Sequence, residues 1–220
     1  LRHVLYLNRK GEAMKGLIGV AAGLMTAGCS VVGVRSGTEE PRYTIVETIG
    51  PVEIRRYGER VAIEILVDGD EEGSRSQGFQ RLASYIFGAN HARSKIAMTA
   101  PVTQNGETIA MTAPVVQDRD PQGHWRIQFY APIAYTAATM PEPIDKAVSI
   151  VTVPSQTLAV VRFSGSRSPQ AVAVRQEELM TALKHTAWRP DGVPFTWFYD
   201  PPWTIPAFRR NEVAVQVSRG

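Results

Sequence analysis

Ile96-Ala97-Met98-Thr99-Ala100-Pro101-Val102 and Ile109-Ala110-Met111-Thr112-Ala113-Pro114-Val115 are one phrase written twice, with starts thirteen residues apart. The link between them, Gln104-Asn105-Gly106-Glu107, is polar. Asn-Gly is a strong hairpin pair because both residues tolerate positive φ. Ala-Pro pushes the residue before the proline out of the helical region, so neither copy is helix. Proline also lacks a donor, which places each copy at an edge, a bulge or a strand end. The expectation is two extended segments folded back on each other with similar faces. Met98 and Met111 then either fill a barrel interior or offer soft thioethers to a flat apolar ligand or a metal. A period repeated once is too little for a solenoid.

Working outward, the preceding stretch predicts a helix over 74–87. Phe79, Leu82, Ala83 and Ile86 fall at i, i+3, i+4 and i+7, one apolar stripe, and Gly88 can end it in a left-handed conformation. Tyr85 and Phe87 lie off that stripe and could roof a pocket. Upstream, strands are predicted over 43–48, 52–57 and 61–67, with a Gly50-Pro51 turn and an acidic surface turn at 68–73 that lacks calcium-loop spacing. Downstream, 125–130 alternates as a half-buried strand and 132–145 is a Pro-rich loop. Strands over 148–153 and 157–164 flank Pro154-Ser155-Gln156. Ser168-Pro169 opens a second helix running to about His185, with Val172, Leu179 and Leu183 inward. An aromatic strand over 195–199, a stiff Pro/Trp loop over 200–206 and a strand over 212–217 close the chain. Strands-helix-strands twice predicts an α+β fold, a pseudo-twofold antiparallel sheet with two helices against it.

The composition, 44% apolar and 20% charged, is that of a globular chain with a real core. A sequence pI near 9.1 invites a nucleic-acid partner. However, residues 1–28 carry Arg2, Arg9, Lys10 and Lys15 against Glu12 alone, and the remainder balances twenty basic against twenty acidic residues. The basic excess belongs to the front end, and no Lys/Arg block marks a phosphate-binding face. That front end reads as a leader: Met14-Lys15, a short apolar run over 16–25, then Thr26-Ala27-Gly28-Cys29. The run is too short to span a bilayer. The order resembles a bacterial lipoprotein signal over 14–28, with Cys29 as the lipidated residue. Residues 1–13 read as a non-native upstream extension and 29–41 as a tether. The domain is expected over 42–218, on the periplasmic side of a membrane in the cell envelope. A lone Cys excludes an internal disulfide and any multi-Cys metal site.

The doubled phrase after the helix ending Tyr85-Ile86-Phe87-Gly88-Ala89-Asn90, with Pro51-Val52-Glu53-Ile54-Arg55-Arg56-Tyr57 before it and Pro201-Pro202-Trp203-Thr204-Ile205-Pro206 and Arg209-Arg210-Asn211-Glu212-Val213 after it, resembles the SOUL haem-binding protein family. The resemblance runs from about Arg42 to Val217. It implies a distorted antiparallel β-barrel of two pseudo-symmetric halves flanked by two helices, and a non-covalently held haem or other tetrapyrrole. Carried over by position, it nominates an apolar groove on the face of Phe79, Leu82, Tyr85 and Ile86, with Met98, Met111 and the Trp203 loop. Haem needs an apolar slot, cations for its propionates and often an axial ligand. Arg93 and Lys95 could meet propionates, and His91 could approach iron; the plain alternative is a solvated basic loop.

No GxSxG, HExxH, P-loop or dinucleotide pattern is present, so no enzyme is expected. Four functions stay open from sequence. The first is a lipid-anchored haem binder that buffers or delivers its ligand. The others are a module for other flat amphipathic molecules, of the multidrug-sensor effector-domain type; a tetrapyrrole-modifying enzyme; and a structural lipoprotein docking a partner through its aromatic loop.

Overall fold

The computed structural model describes residues 37–91 and 106–220. The first copy of the doubled phrase, with Arg93, Lys95 and Met98, lies outside these residues, as do the leader and Cys29.

The first half comprises β1 (Tyr43–Ile49), β2 (Val52–Tyr57), β3 (Arg60–Val67), α1 (Glu71–Ile86), β4 (Asn90–His91), β5 (Val115–Arg119) and β6 (Trp125–Tyr130). The second comprises β7 (Glu142–Pro143), β8 (Ser149–Val153), β9 (Gln156–Phe163), α2 (Pro169–Leu183), β10 (Trp188–Pro190), β11 (Phe195–Phe198), a 3-10 turn (Pro206–Phe208) and β12 (Asn211–Arg219). Nine strands form one curled antiparallel sheet in the order β1-β2-β9-β12-β11-β5-β6-β3-β8. β10 pairs with β12, and β4 pairs with β7.

This order confirms the two related halves. β2-β9-β12-β11 is matched, reading inward from the other end, by β8-β3-β6-β5. The opening strand of each half lies on a strand of the other half: β2 on β9, β8 on β3. The seam is β5 against β11, where Val116 faces Trp197. Period-2 alternation then sorts side chains into three apolar layers. Val52 and Ile54 of β2 and Val213 and Val215 of β12 pack under α2 with Leu179 and Leu183. Ile63 and Ile65 of β3 pack under α1 with Leu82 and Tyr85. Tyr57, Tyr130, Leu158 and Trp197 fill the interior between the halves.

α1 begins three residues earlier than its sequence predicts. Asp70 caps it, accepting from the Glu72 and Gly73 amides at 3.0 and 2.9 Å, so the acidic turn is the helix's first turn. Gly88 follows at φ +116°, as expected. The buried face keeps Leu82 and Ile86 of the predicted stripe but is rotated away from Phe79 and Ala83. It runs through Ser74, Gly78, Leu82, Tyr85 and Ile86, because Gly78 brings the helix onto the sheet: a Cβ there would stand 2.5 Å from Ile127 Cγ1. Phe79, which the stripe favours for its bulk, sits at the margin with its ring edge on Phe129. Within the second copy, Thr112 bridges Glu39 in parallel and Val115 opens β5. Pro114 therefore stands at a strand start, which needs no donor from it.

Replacing Gly78 with Ala is expected to lower the unfolding free energy by about 1–3 kcal/mol through overpacking against Ile127, although alanine is intrinsically the better helix former. Gly58→Ala, which points into open space, serves as the control. Urea unfolding of the two variants checks this, and a Gly78→Ala protein as stable as the parent refutes the close approach.

Candidate functional site

The nominated face of α1 is built into the core. Leu82, Tyr85 and Ile86 are buried among Ile63, Ile65, Phe129 and Met140. Tyr85, expected to roof a pocket, instead donates its hydroxyl to the Pro141 carbonyl at 2.7 Å. The chain after the helix closes over this face. Asn90 donates its buried amide to the carbonyls of Tyr85 and Glu107 at 2.7 and 2.8 Å and accepts from the Glu107 N–H at 2.9 Å. The Ile109 N–H then donates to Ile86 O at 2.8 Å, and the Ile109 side chain is buried. What remains beside the helix is a void of about 10 Å³ bordered by Ile86, Ile109, Met111, Phe129 and Met140, room for about one water. Met111 stands exposed at its rim. His91 is on the surface opposite Glu142 and borders neither this void nor the cavity below. Trp203 is exposed on a separate loop. The structure therefore brings Phe79, Leu82, Tyr85 and Ile86 together as packing, sets Met111 exposed at the rim, and leaves His91 and Trp203 apart from them.

Space for a ligand lies next door. A cavity of about 580 Å³ shares Thr112 and residues 130–132 with that void. This is within the range of about 300–1,000 Å³ that small-molecule sites occupy. One wall is the segment 39–42 that leads into the domain, another is the β2–β3 turn with Arg60 and Val61, and the third is the loop 131–138. From sequence alone that loop reads only as Pro-rich.

Thr112 donates its hydroxyl to the Tyr130 carbonyl, fixing the second copy of the phrase to the end of β6. Glu39 accepts from the Ala113 amide through its carbonyl and from the Ile133 amide through its carboxylate at 2.7 Å. The walls are mainly apolar: Pro41, Val61, Ala131, Pro132, Ile133 and Ala138.

One cation is held on this lining by aromatic rings. The Arg60 guanidinium lies between the rings of Tyr57 and Tyr130, 4.7 and 4.8 Å from their centroids. It donates to Gln156 Oε1 at 2.7 Å and to the Tyr130 hydroxyl at 3.3 Å, while its buried Nε–H has no partner. A guanidinium is a planar fork suited to a carboxylate. Burial pushes the Tyr130 phenol pKa up, Arg60 opposing. Hydrogen bonding to Glu107 pushes Tyr135 up as well, and its hydroxyl donates to Glu107 Oε1 at 2.6 Å. Both phenols are thereby held toward the protonated form. Among the described residues, no His, Met or Cys lines the cavity and no three His, Cys, Asp or Glu side chains gather as a metal site. The lining suits a flat apolar body bearing a carboxylate, held without an axial ligand from the described residues.

Behind one wall sits a buried ion cluster that sequence reasoning did not see. Glu212, fully buried on β12, accepts from Arg55 Nη1 at 2.8 Å, Arg210 Nη2 at 2.9 Å and the Tyr199 hydroxyl at 2.8 Å. Arg210 also holds Glu40 at 2.9 Å, which ties the 39–42 wall to the barrel interior. Burial works against charge on Arg55, but the Glu212 carboxylate outweighs it and raises the guanidinium above its ordinary pKa. Burial, then Glu212, pushes the Tyr199 phenol well up. The cluster is one carboxylate answered by two cations and a hydroxyl.

Residues 38–216 match the family model described as SOUL heme-binding protein. Heme-binding protein 2 of Homo sapiens is 30% identical over 173 residues, 71% of this chain and 73% of the relative. Among solved structures, the cryo-EM structure of an EcmrR–DNA complex superposes with a TM-score of 0.51 at 12% identity, covering 95% of this chain and 69% of that one. The EcmrR C-terminal domain gives 0.47 at 13% identity, covering 81% and 99%. The chain belongs to the SOUL heme-binding family.

Glu212→Ala takes the one fully buried carboxylate from Arg55, Arg210 and Tyr199, leaving Arg55 only the half-exposed Glu53, 2.7 Å from its Nε. We expect a loss of about 3–5 kcal/mol in unfolding free energy, read by urea denaturation, against a change within about 0.5 kcal/mol for exposed Arg56→Ala.

Proposed function

We propose that this SOUL-family chain binds a tetrapyrrole, most simply haem, in the cavity between residues 39–42, Arg60 and the loop 131–138. The observation that carries this is Arg60, set between two aromatic rings on an apolar lining with a buried N–H unmatched. A tetrapyrrole is a flat apolar ring with carboxylates at one edge. Its ring would lie along Pro41, Val61, Ala131 and Ile133, burying area worth about 25 cal/mol per Å², and a propionate would take the Arg60 fork. The family and the name of the human relative support the ligand class.

Among the described residues the grip rests on ring burial and one ion pair, neither of which is a bond to iron. That suits buffering or delivery. The leader, with Cys29 after small residues, supports the further reading that the protein is lipid-anchored in the cell envelope. The same lining would take other flat amphipathic carboxylates, since it makes no demand on a central metal.

Haemin titrated into the purified chain is expected to give a saturable Soret shift at one equivalent. Metal-free protoporphyrin should bind with similar affinity. Arg60→Gln should weaken both by about tenfold, the worth of a charge-assisted hydrogen bond, and should not affect the porphyrin dimethyl ester. Ala138→Trp, which fills the cavity, should abolish binding. Undiminished binding by Arg60→Gln and Ala138→Trp would place the ligand elsewhere. Radiolabelled palmitate tests the anchor: incorporation into the parent and none into Cys29→Ser is the expected result.

A further inference from the structure

Residues 201–209 form a loop that displays apolar side chains outward. Trp203, Ile205 and Phe208 are 64%, 43% and 53% exposed, three large apolar groups within six positions. The backbone beneath them is stiff. Arg209 reaches back to the carbonyls of Thr204 and Pro202, both at 2.7 Å. The Phe208 amide donates to Ile205 O, and Gly165 N donates to Pro206 O at 2.8 Å, locking the loop to the turn before α2. Thr204 is fully buried as the loop's inward anchor. An apolar tip held this firmly does not collapse onto the domain.

Two further observations name what faces it. The first is charge. Arg167, on the turn that Gly165 locks to the loop, donates to Asp200 O at 3.1 Å. Its pKa is pulled down to about 10, first by burial and then by Arg209 and Arg75. Arg167 and Arg209 thus place two guanidiniums behind the tip, and an anion outside it would serve them as a counter-ion. The second is where the chain enters the domain. Arg210, which ends this loop, binds Glu40, so the described chain begins beside the loop. A tether running from a lipidated Cys29 would deliver this side of the domain to a membrane.

We propose that the Trp203–Ile205–Phe208 tip, backed by Arg167 and Arg209, is a docking surface for an anionic phospholipid bilayer. Indole and phenyl rings favour the headgroup–acyl boundary, and adjacent guanidiniums meet lipid phosphates. The inference takes its orientation from the lipid-anchor reading, but the contact itself needs no acyl chain, and it is independent of tetrapyrrole binding.

The test uses the full chain carrying Cys29→Ser, so that no lipid is attached. It is mixed with phosphatidylcholine vesicles, with or without phosphatidylglycerol, and sedimented. Binding is expected to the anionic vesicles and to fall with salt. Bromolipids should quench the emission that disappears in Trp203→Phe. Trp203→Ser with Phe208→Ser should cut partitioning by at least about tenfold. Phe208→Ser alone should cut it measurably, with an unchanged urea midpoint in both variants. No binding by Cys29→Ser, no quenching of the Trp203 emission, or partitioning unaffected by the double substitution would each overturn the proposal. Failure of palmitate labelling in the parent chain would instead remove the anchor and leave this contact standing.

Discussion

Glu212 is the constraint on which the barrel interior depends. A carboxylate without solvent exposure costs several kcal/mol to desolvate, and its partners recover that only if geometry and count are right. Here the partners come from separate places: Arg55 from β2, Tyr199 from the end of β11, and Arg210 from the residue before β12. Arg55 and Glu212 are not strand neighbours. β9 runs between them, and the guanidinium reaches over small and branched side chains, Leu158 and Val160, to meet the carboxylate. That diagonal exists in one register only. A one-residue slip of β12 would turn Glu212 toward α2 and a valine inward, leaving an ion in an apolar layer. Apolar residues of equal volume could fill the same space, but they would not penalise the slip.

The cluster also explains why a cavity survives beside a well-packed core. Arg210 spends Nε and Nη2 on Glu212 and Nη1 on Glu40. Residues 39–42 are thereby held as a wall rather than drawn inward. Glu39 pins the far side through the Ala113 and Ile133 amides. The cavity is thus a gap kept open by hydrogen bonds to backbone and by one shared arginine. It is not a groove left by a helix. The face of α1 had no such spacer, and Ile109 closed it.

The repeat of strands-helix-strands was legible, because periods of 2 and 3.6 are local, and so was Ser168-Pro169 as a helix start. The exchange of β2 and β8 between halves was not, since pairing partners leave no mark in a single strand. The α1 face was misjudged for a particular reason. Hydrophobic periodicity weights side-chain bulk, so Phe79 counted and Gly78 did not, although close approach to Ile127 is what orients the helix. Tyr85 followed from that rotation. The cavity was illegible because a void has no residue signature. Its walls come from a pre-domain segment, a two-residue turn and a Pro-rich loop, and the charged groups on them, Arg60 with Glu39, Glu40, Arg42 and Glu59, form no motif. Within the second copy of the phrase, Thr112 matters more than Met111, through two backbone attachments that no motif announces.

A duplicated fold must break its symmetry to make one site, and the break is visible at a single pair. Arg60 opens β3 after the two-residue connection from β2, and Gln156 opens β9 after the matching connection from β8. They occupy equivalent positions in the two halves and meet: Arg60 donates to Gln156 Oε1 at 2.7 Å. Two arginines there would repel across a short gap, and two glutamines would leave no charge for a carboxylate. One of each lets the amide of one half orient the cation of the other, with the Tyr57 and Tyr130 ring centroids 4.7 and 4.8 Å from the guanidinium. The segment 39–42 then covers the cationic side, so the cavity forms where the charge is. The cation of the site is thus oriented by an unequal pair, one member from each half.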